Sequence, residues 1–425
     1  MICNQTQYNK MWNTKKLNEL GKFSRGKSKH RPRDDKKLFI NGQYPFIQTG
    51  DVKESNLYIN KHEMSYNEIG LAQSKLWNKD TLCITIAANI AETGILAYPM
   101  CFPDSIVGFN AYKDKCSEIF MHYIFKYIKQ SIKKYASGSI QDNINIEYIE
   151  NLDFKIPNKK LQDKIIKILY EIDSKIDNNN QINNNLEELM KTIYQRWFIE
   201  FEFPNDDGKP YKSSGGRLVY NEELKQNIPE EWEVKVLNDI SNFVSGFAFS
   251  SNDYTKNGKY KLYTIKNVQD GNIVSIVDNT LNELPVNMPN ECLLKPKDLI
   301  MSLTGNVGRV GLVYENNVLL NQRVLKIEPQ NNLCYLYSLY RNDFMKSRCE
   351  KISSGTSQKN LSPIELGKQK VLYSKKIVGK FEETNRSLID TYVNNLIENQ
   401  KLIALKEFLL PMLMNGQINV DDIEI

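Results

Sequence analysis

Histidine is scarce in this 425-residue chain: there are only three, His30, His62 and His122, and none stands in a metalloprotease or zinc-finger spacing. Hydrolytic metal chemistry is therefore not expected. The seven cysteines (Cys3, Cys83, Cys101, Cys116, Cys292, Cys334 and Cys349) are odd in number and scattered, with no closely spaced pair. That pattern suits free thiols in a reducing cytoplasm rather than a disulfide framework or a thiolate metal site. No run of about 18 uncharged apolar residues occurs. The nearest, Leu82 to Phe102, is divided by Glu92 and Gly94 into two strand-like pieces, and Met1 to Lys16 lacks the apolar stretch of a signal peptide. The expectation is a cytoplasmic protein with no membrane association.

Catalytic signatures are missing as well. There is no Asn-Pro-Pro-aromatic motif, with which an adenine methyltransferase holds a flipped base. Gly305-Asn306-Val307-Gly308-Arg309-Val310-Gly311 is glycine-rich, but its spacing fits neither the dinucleotide fingerprint nor the P-loop, and a tight turn between strands explains it. The acidic pairs Asp206-Asp207 and Glu382-Glu383 read as a solvated linker and a helix surface. No catalytic residue, metal ligand or cofactor is expected on this chain.

What the chain does contain is written twice. With 41% hydrophobic residues it can bury cores for two or three domains. Trp12, Leu17, Asn18 and Gly26 recur 220 residues later as Trp232, Leu237, Asn238 and Gly246. Asn41-Gly42-Gln43-Tyr44 and Val52 return as Asn257-Gly258-Lys259-Tyr260 and Val268 at an offset of 216. Lys79-Asp80 before the alternating Leu82, Ile84 and Ile86 matches Lys297-Asp298 before Leu299, Met301 and Leu303, and both read as strands. Gly138, Gln141 and Asn143 return as Gly355, Gln358 and Asn360 at an offset of 217, in polar loops. The period is far too long for a solenoid, so the chain is a duplicated domain pair.

A helical segment follows each copy. In the first, Ile165, Leu169, Ile172, Ile176, Asn179, Asn183, Leu186, Met190, Ile193 and Trp197 are spaced alternately by four and three, a heptad seam that expects a partner helix. Asparagines at two consecutive core positions either fix register or reflect an Asn-rich low-complexity stretch from Asn178 to Asn185. The second, from about Lys376 to Met414, carries Phe381, Leu388, Tyr392, Leu396, Leu402, Leu405 and Leu409 around Asn394-Asn395. An antiparallel pair of such helices would be a spacer: about 40 residues span roughly 60 Å, against about 34 Å for one DNA turn. Between the copies, Pro204 to Gly216 holds turn chemistry in Asn205-Asp206-Asp207-Gly208, Pro210 and Ser213-Ser214-Gly215-Gly216.

The net charge of +5 suits a polyanionic partner without proving one. The best candidate grip is the loop from Lys22 to Lys37, where Arg25, Lys27, Lys29, His30, Arg31, Arg33, Lys36 and Lys37 are offset only by Asp34 and Asp35. Such a cluster neutralises phosphates, and Arg also reads guanine. The matching region of the second copy, Ser245 to Lys259, is poorer in charge but carries Ser245, Ser250, Ser251, Asn252 and Tyr254, with Lys266, Asn267, Arg309 and Gln322 as weaker candidates nearby.

These features together resemble the specificity subunits of type I restriction-modification systems over nearly the whole chain. Ile228-Pro229-Glu230-Glu231-Trp232-Glu233-Val234, opening the second copy, and Gly208-Lys209-Pro210-Tyr211-Lys212-Ser213-Ser214-Gly215-Gly216 carry the likeness best. Arg196-Trp197-Phe198 and Leu409-Leu410-Pro411-Met412-Leu413-Met414-Asn415-Gly416 match the family's helix endings, whereas the first copy keeps only Trp12 and Leu17 of the usual opening. The resemblance implies an α+β fold: two mixed α/β target recognition domains, 1–157 and 231–375, separated by two long antiparallel coiled-coil helices, 158–203 and 376–425, with a linker at 204–230 and pseudo-two-fold duplication.

It further implies a non-catalytic chain that reads a bipartite asymmetric site in double-stranded DNA. Two modification subunits would supply S-adenosylmethionine and methylate adenine, and restriction subunits would use ATP and Mg. Docking and helix pairing would fall to Ile165, Leu169, Ile172, Ile176, Leu186, Ile193, Trp197, Leu388, Tyr392, Leu396, Leu402 and Leu409. The rival readings are a duplicated coiled-coil scaffold that binds only proteins and a single-chain restriction-modification enzyme.

Overall fold

The computed structural model describes residues 12–137, 144–355 and 358–420. By contacts the chain divides into two units, one comprising 1–178 with 401–425 and the other 179–400.

In the first unit, the apolar alternation seen in sequence becomes a five-stranded sheet. Its strands run in the order Gly21–Arg25, Ile106–Ala111, Leu82–Thr85, Thr93–Leu96 and Tyr58–Ile59, with the last pair parallel. A second sheet orders Met64–Tyr66, Tyr44–Phe46, Met100–Cys101 and Leu76–Trp77. Leu82, Ile84, Val107 and Phe109 are buried against Phe120 and Met121 of the helix Glu118–Ser137. Glu92 does separate the two strand pieces expected there, whereas Gly94 lies inside the second strand. Gly138, Gln141 and Asn143 of the repeated polar loop lie outside the described residues.

The second unit repeats this plan. One sheet orders Ser241–Ser245, Val324–Pro329, Leu299–Ser302 and Val310–Leu312; the other orders Thr280–Leu281, Tyr260–Tyr263, Val318–Leu320 and Leu293–Leu294. The duplication extends to single hydrogen bonds. Ile144 N donates to Ile86 O at 3.0 Å, and Leu361 N to Leu303 O at 2.8 Å.

The glycine-rich segment around Gly305 and Gly308 is the tight turn between strands that its spacing predicts. Both glycines have φ +76°, and the turn closes through Gly308 N to Ser302 O at 3.0 Å and Ser302 N to Arg309 O at 2.9 Å. The equivalent turn in the first copy closes through Ala91 N to Thr85 O and Thr85 N to Glu92 O, with Ala88 at φ +60° and Ala91 at φ +58°. Alanine in the left-handed region costs about 1 kcal/mol or more, and the fold imposes it anyway. The glycines therefore relieve backbone strain in a strand-to-strand turn, and no phosphate loop is needed to explain them.

The long helices run Lys159–Tyr194 and Lys375–Met414, and a π-turn, Gln195–Ile199, ends the first. Within the first unit their segments lie side by side and antiparallel. Leu161, Ile165 and Leu169 share a core with Leu413, Met414 and Val420, and Lys406 pairs with Asp173. Ile172 and Ile176 are buried, Leu409 packs at the edge of that core, and Leu402 is half-buried.

Within the second unit the segments are again antiparallel. Met190, Tyr194 and Trp197 pack with Phe381, Ile389 and Tyr392, flanked by Leu186, Ile193, Leu388 and Leu396. The asparagines there are not filler. Asn179 Nδ2 donates to Asn399 Oδ1 at 2.9 Å, Asn399 Nδ2 to Asn180 Oδ1 at 2.8 Å, and Asn395 Nδ2 to Asn183 Oδ1 at 2.9 Å. A one-turn slip would strand the buried amides of Asn179, Asn183 and Asn399, so the layer fixes register.

The segment read as a linker is packed. Phe203 stacks on Tyr211 at 4.6 Å between ring centres and on Trp232 at 5.3 Å, and Lys376 bonds Asp206 at 2.9 Å. A hairpin, Leu218–Asn221 with Gln226–Pro229, completes it. Linker composition thus correctly marked turns, and the flanking aromatics hold them down.

Candidate nucleic-acid interface

In the first unit, the basic run is part strand and part loop. Gly21–Arg25 is paired with Ile106–Ala111, which corrects the expectation of a loop from Lys22 onward. Beyond it, Gly26 N donates to Ile106 O at 2.8 Å and Lys27 N to Phe102 O at 3.0 Å. Ser74 Oγ donates to Lys27 O at 2.7 Å, and one Gln73 oxygen accepts from Lys29 N at 2.6 Å and His30 N at 3.0 Å. A Cβ at Gly26 would stand 2.3 Å from Pro103 O, so only glycine fits there.

The cations on this shelf differ in availability. Arg33 bonds Asp104 at 2.6 Å, and Arg31 donates to Ser28 O at 2.7 Å and His30 O at 2.9 Å. His30 Nε2 lies 2.8 Å from Asp35. Lys37 N and His30 together hold the Asp35 carboxyl below the usual carboxylate range. Arg25 and Lys29 are exposed and have no side-chain partner among the described residues, and Lys27 is half-buried. The shelf therefore presents at least two uncommitted cations on a backbone that is fixed in advance.

In the second unit, Ser245, Gln322 and the turn residue Thr304 line a polar cleft of about 570 Å³ with Arg323, Gln358 and Asn360. Thr304 Oγ1 donates to Asn360 Oδ1 at 3.0 Å, which turns the Asn360 amide nitrogen away from that bond. Arg323 is exposed, with no side-chain partner among the described residues. Arginine, glutamine and asparagine are the side chains that make bidentate contacts to guanine and adenine edges. Arg323 escaped the sequence reading because it sits one residue from Gln322 with no neighbouring charge. Gln358 and Asn360 were visible only as a repeated polar loop; their recurrence at the offset of Gln141 and Asn143 was the available signal.

The other candidates have varied fates. Ser250 caps the turn Ser251–Asp253, accepting from Asn252 N at 3.3 Å, and Ser251 is exposed. Lys266 is exposed and bridged to Asp278 at 2.7 Å, a pair weak enough in water to yield to a phosphate. Arg309 donates to Gln269 at 2.9 Å. Asn267 is only 3% exposed: its oxygen accepts from Thr264 N, and its nitrogen donates to Val274 O and Ile276 O. It shapes the loop from within and cannot reach a base, which corrects its assignment as a contact.

Among the described residues, no group of three or more His, Cys, Asp or Glu could hold a metal ion, and no helix is long and apolar enough to cross a membrane.

Comparison with known proteins agrees with this arrangement. A family model described as "Type I restriction modification DNA specificity domain" matches residues 9–188 and again 229–406, following the duplication. The chain is 26% identical over 429 residues to the type I restriction enzyme MjaIX specificity subunit of Methanocaldococcus jannaschii, covering 97% of this chain and 95% of that one. It is 24% identical over 347 residues to the HindI specificity subunit of Haemophilus influenzae, covering 69% and 74%. Among solved structures, a crystal structure of a type I restriction-modification S subunit from M. genitalium shares the fold, with TM-score 0.56 and 19% identity over 95% of this chain and 96% of that one. With both copies matched, this chain belongs to the type I restriction-modification DNA specificity family.

Proposed function

We propose that this chain is the DNA sequence-specificity subunit of a type I restriction-modification complex. Each copy reads one half of a bipartite asymmetric site in double-stranded DNA, and the chain itself does no chemistry. The observation that carries this reading is one scaffold built twice with different reading surfaces: Arg25 and Lys29 on the first, and Ser245, Gln322, Arg323, Gln358 and Asn360 on the second. A shared framework with divergent contacts is what two different half-sites require.

By this proposal, two modification subunits dock on the helix pair, bring S-adenosylmethionine and methylate adenine; restriction subunits add ATP- and Mg-dependent cleavage. The half-exposed apolar side chains Ile403, Leu405 and Phe408 on the second long helix give such partners a surface to bury. Mapping methylated adenines in the host genome with and without this gene tests the proposal. One interrupted motif that vanishes with the gene supports it, and an unchanged methylation pattern refutes it. A protein-only scaffold would bind no duplex with sequence preference.

A further inference from the structure

The second copy carries its loop Thr264 to Asp278 on a charged clamp. Arg341, the last residue of the helix Leu333–Arg341, sends one guanidinium nitrogen to Asp270 Oδ1 at 2.9 Å and the other to within 3.5 Å of Glu187 Oε2 on the first long helix. Lys346 holds the other Asp270 oxygen at 2.7 Å, and Tyr337 donates to Glu187 at 2.9 Å. From the second long helix, Tyr392 donates to Gly271 O at 2.9 Å. Gly271 has φ +81°, and a Cβ there would lie 2.2 Å from the guanidinium carbon, so the loop backbone rests directly on Arg341. Burial opposes ionisation of Asp270, but the Lys346 hydrogen bond and the Arg341 charge outweigh it and keep the carboxyl below the usual range.

The loop so held carries Lys266, and Gln269 bonds Arg309 on the turn whose Thr304 lines the cleft. The first copy has a simpler tie at the matching place: Asn56 Nδ2 donates to Asp177 of the first long helix at 3.1 Å. Both copies thus fasten this loop to that helix, and the second does so with a planar two-pronged cation that lysine cannot imitate.

We propose that Arg341 is a positioning residue for DNA recognition, registering the loop and the neighbouring turn of the second copy to the helix pair; the inference rests on the DNA-reading assignment above. The test uses the native complex, purified through a tag on this chain, and duplexes bearing the site mapped from genomic methylation. Competition binding compares each mapped duplex with duplexes substituted at one base pair.

Arg341→Met and Asp270→Asn should each lower the preference by about tenfold for substitutions in one half of the site, while preference in the other half stays within about twofold. Arg341→Lys should fall between, and the double variant should be no worse than either single. A merely structural role would weaken binding without changing preference, or would change both halves alike; either result overturns the clamp. If Arg341→Met fails to fold, Arg341→Lys and Asp270→Asn decide the matter. Lys266→Ala with Arg323→Ala provides the separate check: if that pair leaves both affinity and preference untouched in both halves, the DNA-reading assignment falls and the clamp with it. If the pair acts and the Arg341 variants do not, the clamp alone falls.

Discussion

Replacing Arg25 and Lys29 together with alanine should flatten the salt dependence of DNA binding. Both side chains are exposed and uncommitted, so each is free to neutralise one phosphate and release its counterion. At about 0.9 per phosphate, the slope of log K against log salt should become shallower by about 1.8. Between about 50 and 200 mM salt, wild-type affinity should therefore fall roughly tenfold further than that of the variant. The loop itself should keep its shape, because its anchors are backbone groups and the side chains of Gln73 and Ser74. Fluorescence anisotropy titrations over a salt series with the native complex give the slope directly. A slope within about 0.3 of wild type would remove this shelf from the interface. Arg31 is the poorer choice for this test, since its guanidinium staples its own loop and its loss mixes two effects.

Arg323→Ala should relax the choice of base at one position of one half-site, at a cost of about 1 to 3 kcal/mol against the correct base; a uniform loss over all substituted duplexes would make Arg323 a phosphate contact instead. Lys406→Met leaves the Asp173 carboxylate, 2% exposed, with the Tyr123 hydroxyl at 2.8 Å as its remaining bond among the described residues. Urea denaturation should show a loss of about 3 kcal/mol, with much of it restored in Asp173→Leu/Lys406→Leu, and a loss below about 1 kcal/mol would contradict the burial argument. Burial pushes the Cys101 thiol up to about 11 and those of Cys116 and Cys349 up to about 12. At pH 8 the thiolate fraction is therefore negligible, and mass spectrometry after iodoacetamide treatment should find these three unmodified in the folded protein and alkylated in urea.

The duplication was legible because it is carried by framework residues whose roles are fixed by sterics and period. Leu17 and Leu237 are both buried at 0%, and Asn41 and Asn257 both adopt positive φ. The helix seam was legible for the same reason, since spacing by four and three has one physical meaning. What sequence could not supply was commitment. Sequence offers Asn267 as a contact and passes over Arg323, yet the Asn267 amide is bonded inward on both sides and the Arg323 guanidinium is open. Arg31 and Arg33 belong to the same basic run as Arg25, but Ser28, His30 and Asp104 engage them. Asp104 lies far from Arg33 in the chain, whereas the partners of Asn267 and Arg31 are close by; what composition and local pattern do not encode is the turn geometry that brings them within bonding distance.

The basic shelf of the first copy is suspended almost wholly by main-chain atoms: the amides of Gly26, Lys27, Lys29 and His30 donate, and the Lys27 carbonyl accepts. Any residue but proline offers the same amide, so the exposed side chain at position 29 is free to change while the buried Ser28 beside it and the perch persist. A protein whose task is to tell one DNA word from another can thereby exchange letters without having to find a new fold.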